Sequence, residues 1–203
     1  MQTTPSQFYL SILSKTYWKA AADTAKQLRI LVVAAMLVAL RVAIASMYIP
    51  VGEELQITFG FFFNAFGSYI YGPVLAPFTG FASDIIGFTL KPTGVFFPGY
   101  TLTAMAGSLS YALFLYRKRI TMARLFFTKA FVNIFVNVGM NSLWSAILYS
   151  RGFYYYFTTR LLKNIVMLPI EFVILVLFFK AMMPVAAQLN LIRGQDGNRI
   201  PIW

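Results

Sequence analysis

The chain has 203 residues, 59% of them hydrophobic and 11% charged, with a mean hydropathy of +0.70; soluble domains carry about 45–50% apolar and ~25% charged residues, so the balance excludes an ordinary soluble enzyme. Cys and His are both absent, which removes disulfides, thiolate nucleophiles, His-ligated metals and the usual general base, and no cofactor is expected. A net charge of +11 would suggest a nucleic-acid partner on a soluble protein, but these basic residues fall in short segments between apolar runs, as in loops that face anionic lipid.

Residues 1–26 are polar and basic with scattered aromatics. Residues 8–26 read either as an amphipathic helix lying in the membrane interface, with Leu10, Leu13, Tyr17 and Trp18 set against Lys15, Lys19 and Lys26, or as a disordered leader. Ala43-Ile44-Ala45 mimics a signal-peptidase site, but the apolar run before it is too long, starts too late and contains Arg41. A spanning helix needs ~20 mostly apolar residues, and about six segments approach that length. They are 28–49, ended by Pro50; 57–71, stopped at Gly72-Pro73; 74–90; 95–116, with Pro98 in its first turn; 125–149; and 159–183, with a kink expected at Pro169.

Orientation follows from Lys and Arg in the loops. The N-terminal segment holds Lys15, Lys19, Lys26 and Arg29, the loop after the fourth helix Arg117, Lys118, Arg119 and Arg124, and the tail Arg193 and Arg199. The other loops hold Glu53 and Glu54, Lys91, and Arg151. Both termini are therefore expected in the cytoplasm, which requires an even helix count. The expected architecture is an all-α membrane protein, a six-helix transmembrane domain over 27–190 between a cytoplasmic or interfacial segment 1–26 and a cytoplasmic tail 191–203.

Ionisable groups at membrane depth are expensive and usually functional. In the first segment Ala35, Ala39 and Ala43 recur every four residues, a spacing that lets another helix approach closely. Arg41 lies roughly 200° around from Ala39 at ~100° per residue. The alanines serve either docking or packing within the chain, and Arg41 is an inward cation, an ion-pair partner or a snorkelling residue. Asp84 is flanked on nearly one face by Gly80 and Gly87. That arrangement either leaves room for a ligand or makes a tight helix crossing in which Asp84 pairs with Arg41.

The fifth segment carries Lys129, Asn133, Asn137, Asn141 and Ser145, each four apart, a row that drifts ~40° per step in an α-helix. Trp144 lies one turn beyond Asn141, and hydrogen bonds between helices account for the inner Asn residues. The sixth carries Arg160, Lys163 or Asn164, Met167 and Glu171 within ~60° of one line. By position along their helices, Arg41, Asp84, Asn141, Trp144, Arg160 and Lys163 meet at one level in the outer leaflet. Three cations, a carboxylate, an amide and an indole describe an outward-facing pocket for a small anionic ligand with hydrogen-bond donors and a flat ring. The carboxylate is its single catalytic-type group, and the chain lacks a G-x-x-x-x-G-K-[ST] phosphate loop, so transport would draw its energy from elsewhere.

Three stretches then resemble a known family: Tyr71-Gly72-Pro73-Val74; Gly80-Phe81-Ala82-Ser83-Asp84-Ile85-Ile86-Gly87-Phe88; and Lys91-Pro92-Thr93-Gly94-Val95-Phe96-Phe97-Pro98-Gly99-Tyr100-Thr101-Leu102. With Asn141-Ser142-Leu143-Trp144 and the Arg160/Lys163 pair, they resemble the folate-specific S components of energy-coupling factor (ECF) vitamin transporters over about residues 26–190. The resemblance implies a six-helix plasma-membrane protein that binds a vitamin with high affinity and is not itself an enzyme. It also implies an ECF module as partner, made of a transmembrane coupling subunit and two cytoplasmic ATPases. Ala35, Ala39 and Ala43 match the coupling-subunit contact, and loops 50–57 and 88–95, with Glu53, Glu54, Lys91, Pro92, Thr93 and Gly94, match the gates. For folate, Arg41, Arg160 and Lys163 would be charge-assisted donors, Asp84 would accept from the pterin amino edge, and Trp144 with Phe96 or Phe97 would stack on rings. Lys129 and Glu171 lie deeper, paired with each other or touching the coupling subunit. The competing readings are an S component for pantothenate or a hydroxymethylpyrimidine, a non-transporting six-helix scaffold, and a membrane enzyme.

Overall fold

The computed structural model describes residues 12, 14–45, 48–50, 56–92, 95–149, 152–192 and 200–202. In chain order its elements are α1 Lys15–Ala25, α2 Leu28–Ala45, β1 Tyr48–Pro50, β2 Gln56–Thr58, α3 Gly60–Leu90, α4 Pro98–Leu115, α5 Met122–Phe131, a π-helical segment Val132–Met140 that runs straight into α6 Asn141–Tyr149, and α7 Phe153–Gln188. Among the described residues, four stretches are long and apolar enough to cross a membrane: Leu28–Ala45, Gly60–Leu90, Met122–Tyr149 and Phe153–Gln188.

The described residues are helical as expected, apart from one short ribbon. β1 and β2 form a short antiparallel ribbon with Ile49 opposite Ile57, so the first expected helix stops at Ala45 and the second begins at Gly60. Pro50 cannot continue a helix, and the β-branched and aromatic residues beside it favour extended pairing.

The expected second and third segments are the two arms of α3, which breaks at Gly72 (φ 78°, ψ −178°). Pro73 has no N–H to donate and disfavours helical dihedrals in the residue before it. Glycine accepts the positive φ without strain, and the Tyr116 ring lies 2.8 Å from where a Cβ would stand. α4 begins with Pro98 at its first helical position after an extended Phe97, where the missing N–H costs no hydrogen bond. α7 continues through Pro169 and Pro184 as one helix.

α3 packs along α4 and α2. The main core is aromatic where α3 meets α7: Phe62 lies 4.3 Å from Phe178, and Phe66 lies 5.5 Å from Phe179. Large apolar side chains left exposed, such as Val32 and Met36 on α2 and Leu162, Val173 and Leu177 on α7, form the surface that a bilayer would cover. Within the expected 8–26 segment the described helix is α1, and it packs on the rest of the chain. Its Tyr17 and Ala21 are buried against Tyr116 and Val74, and Thr24 Oγ1 lies 3.0 Å from Tyr116 OH. Leu10 and Leu13 lie outside the described residues. At the same end the tail docks back: the Met122 and Ala123 amides donate to the carbonyls of Pro201 and Ile202 at 2.9 and 3.1 Å.

Candidate functional site

The first turns of α4 are the hub on which three other helices place polar side chains. Thr101 Oγ1 donates to Asp84 Oδ2 of α3 at 2.7 Å. Trp144 of α6 donates from Nε1 to Thr103 Oγ1 at 3.0 Å, and its ring lies 5.9 Å from that of Phe97. Tyr100 OH and Ser145 Oγ share a hydrogen bond of 3.0 Å, and Arg160 Nη2 of α7 donates to the same Ser145 Oγ at 2.8 Å. Gly99 is what lets the aromatic pair close over the helix start: a Cβ there would stand 2.4 Å from the Phe97 ring and 2.6 Å from Trp144.

The other expected site residues distribute around this hub. Arg41 is half-buried at the end of α2, passes over Gly60, and lies within electrostatic reach of Tyr71, Tyr111 and Asp84. Phe96 is 44% exposed and pairs with Phe88 at 5.2 Å, so of the two candidate stacking rings Phe97 is the one beside Trp144. Lys163 is half-buried one turn after Arg160, and Asn141 is half-buried at the start of α6. Among the gate residues, Lys91 and Pro92 are exposed, while Glu53, Glu54, Thr93 and Gly94 lie outside the described residues.

The glycines beside Asp84 differ from one another. A Cβ on Gly80 would stand 2.6 Å from the Ala104 carbonyl and 2.9 Å from Met105 Cα, so this glycine makes a tight helix crossing. Gly87 faces open space. Ala35, Ala39 and Ala43 line an apolar groove of about 550 Å³ between α2 and the second arm of α3, shared with Phe78, Ala82 and Ile86. This groove is separate from the polar hub.

Deeper in the bundle the charges are closed on each other. Lys129 Nζ lies 3.1 Å from Glu171 Oε2 and 3.9 Å from the centre of the Phe61 ring. At the hub, by contrast, Asp84 and Arg160 are each held by a neutral hydroxyl, and among the described residues neither forms an ion pair. A carboxylate has about four acceptor positions and a guanidinium five N–H donors, so both keep hydrogen-bonding capacity that the described residues do not use. Outside the membrane-spanning helices, burial and the neighbouring Tyr116 push the Tyr17 hydroxyl up to about 12. Burial and then Arg124 hold the Lys118 ammonium below its ordinary range.

The family model of the substrate-specific component of ECF transporters matches residues 29–179. The chain belongs to that family. It is an S component, hence a multi-pass membrane protein of a transporter family. The S component is 31% identical over 150 residues to the folate transporter FolT of Clostridium novyi (strain NT), covering 74% of this chain and 87% of that one. It is 30% identical over 146 residues to the folate transporter FolT of Leuconostoc mesenteroides subsp. mesenteroides, covering 69% and 78%. Among solved structures, it superposes on the crystal structure of FolT bound with folic acid with a TM-score of 0.62 at 25% identity, over 70% of this chain and 86% of that one.

Sequence reasoning overlooked the hydroxyls. Tyr100, Thr101, Thr103 and Ser145 hold the charged and indole groups of the S component, yet none entered the set of expected ligand contacts. The available signal was the run Tyr100-Thr101-Leu102-Thr103 directly after Pro98-Gly99, where a helix start clusters polar side chains.

Proposed function

We propose that this S component binds folate at the α4 hub and delivers it across the plasma membrane together with an ECF module. Arg41, Arg160 and Lys163 are the donors to its anionic and carbonyl groups, and Asp84 accepts from the pterin amino edge. Trp144 and Phe97 provide the ring contact, with Phe96 and Asn141 at its margin. The membrane domain is 27–190, with six passes formed by α2, the two arms of α3, α4, the α5–α6 rod and α7. Segments 1–26 and 191–203 lie with both termini in the cytoplasm, in keeping with the basic loops. Glu53, Glu54, Lys91, Pro92, Thr93 and Gly94 belong to gating loops. The coupling subunit of the module meets Ala35, Ala39 and Ala43, whose groove is open and apolar, and the module's two ATPases supply the energy.

The observation that carries the reading is the pairing of a flat aromatic surface, Phe97–Trp144, with two charges, Asp84 and Arg160, that neutral hydroxyls hold in place and that no ion pair closes among the described residues. Two relatives named as folate transporters and a neighbour solved with folic acid support the choice of ligand. The test is a folate titration of the detergent-purified protein followed by tryptophan fluorescence. Saturable quenching at one ligand per chain, lost in Arg160→Ala and Asp84→Asn at unchanged melting temperature, is the expected result. Binding of pantothenate or a hydroxymethylpyrimidine in place of folate would move the ligand and keep the class. Failure to bind any vitamin would sink the proposal in favour of a scaffold.

A further inference from the structure

The Lys129–Glu171 pair belongs to a longer chain of contacts. Glu171 Oε2 also accepts from Asn133 Nδ2 at 2.7 Å, and Asn137 Nδ2 donates to Asn133 Oδ1 at 3.2 Å. Asn133 and Asn137 both lie in the π-helical segment, which extends over nine residues. Such i→i+5 segments are rare, mostly single-turn bulges, and frequent at functional sites. Their wider turns change what lies beyond them. Over about two turns the π pattern consumes roughly two residues more than an α-helix would, which rotates everything that follows by about half a turn. α6 follows directly, and its Trp144 and Ser145 face α4 and α7 in the site. An uninterrupted α-helix over the same stretch would turn that face away.

α7 closes the arrangement. It carries Arg160, which grips Ser145, and three turns further on Glu171, which grips Lys129 and Asn133. The α5–α6 rod is thus held to α7 on both sides of the wide turns.

We propose that Lys129, Asn133 and Glu171 are positioning residues: their buried hydrogen-bonded cluster holds the π-helical segment against α7 and thereby aims Trp144 and Ser145 at the ligand. The proposal deepens the folate reading and rests on it. Two double variants separate geometry from charge. Lys129→Met/Glu171→Met removes the charges and the acceptor that Asn133 needs. Lys129→Gln/Glu171→Gln removes the charges and keeps hydrogen-bonding groups in place. Both are made with Trp18→Phe and Trp203→Phe, so that Trp144 alone reports.

The double-Met protein is expected to keep its melting temperature, to bind folate about 10- to 100-fold more weakly, as for a misplaced site of about 1 Å, and to show red-shifted Trp144 emission before ligand is added. The double-Gln protein recovers both properties. Wild-type affinity and emission in the double-Met protein would overturn the proposal, as would equal losses in the two pairs. If the double-Met protein does not fold, Asn133→Leu, which leaves the ion pair intact, takes its place with the same expected loss, and wild-type affinity there overturns the proposal. If the parent protein does not bind folate, the folate reading fails, and the ligand-free Trp144 emission still judges the positioning.

Discussion

Gly80 and Gly87 lie on nearly the same face of one helix, and the geometry assigns opposite consequences to the same added methyl group. At Gly80 an alanine Cβ would sit 2.6 Å from the Ala104 carbonyl oxygen, 2.8 Å from Ser108 Oγ and 2.9 Å from Met105 Cα. Two of these neighbours are backbone atoms, so no side-chain rotation relieves the overlap and α3 must move away from α4. Overpacking of this kind costs about 1–3 kcal/mol, which lowers the melting temperature by roughly 2–12 °C at ~2–4 °C per kcal/mol for a chain of this size. The displaced surface also carries Asp84, one turn beyond Gly80, and its Thr101 partner at 2.7 Å, so folate affinity falls with stability. At Gly87 nothing lies within 4 Å of the new Cβ. Replacing a helical glycine by alanine there stabilises by roughly 0.5–1 kcal/mol. Thermal unfolding of the two variants in the same detergent, followed by loss of the monodisperse peak, separates them. Equal shifts, or a Gly80→Ala protein as stable as its parent, would refute the helix-crossing role of Gly80.

On the proposed pose, Arg160→Ala removes a charge-assisted donor worth about 1.5–3 kcal/mol and is expected to weaken folate binding roughly 10- to 150-fold, while Arg160→Lys recovers part of it, as an equilibrium titration will show. Gly72→Ala forces a non-glycine residue into φ 78° against the Tyr116 ring; a loss of about 2 kcal/mol or more is expected in thermal unfolding, and an unchanged midpoint would remove the steric account of the α3 break. The raised Tyr17 hydroxyl makes α1 docking sensitive to alkali. Its pKa is about 12 when docked against an ordinary value of 10.0, so the contribution is fully present below pH 10, declines between those values and is lost as pH rises through about 12. Trp18, whose ring lies 5.8 Å from that of Tyr17, reports the release, and Tyr17→Phe flattens the transition.

The apolar runs were legible because bilayer thickness imposes a length that can be counted along the sequence. Where one helix ended and the next began was less so. Gly72-Pro73 reads as a stop and is one, since Gly72 leaves helical dihedrals between the two arms of α3, but the first expected helix gives way to the ribbon before it reaches Pro50. The row from Lys129 to Ser145 reads as a spiral at 100° per residue, and that assumption fails in the π-helical segment, where wider turns bring residues four apart back toward one line. Asn133 and Asn137 can then bond to each other and to Glu171. Nothing local announces such a segment; it is fixed by partners on α7, which lie 38 residues away for Asn133. The pairing of Lys129 with Glu171 was one of two readings open from depth alone, and the structure selects it.

The contrast between two kinds of buried charge ties the fold to its use. Lys129 and Glu171 neutralise one another, with Asn133 on the same carboxylate, and breaking a closed buried pair costs about 3–5 kcal/mol because the survivor is left uncompensated. Such a pair offers nothing to a ligand without first being broken. Asp84 and Arg160 are arranged differently: among the described residues each is held by a neutral hydroxyl, from Thr101 and Ser145, that fixes its geometry without cancelling its charge. On the proposed reading, a ligand that carries complementary donors and acceptors gains charge-assisted hydrogen bonds there with no ion pair among the described residues to dismantle, and the side chains it meets are already oriented. The stabilising pair and the charges proposed to meet folate are therefore separate sets, joined through α7, which supplies Glu171 to one and Arg160 to the other.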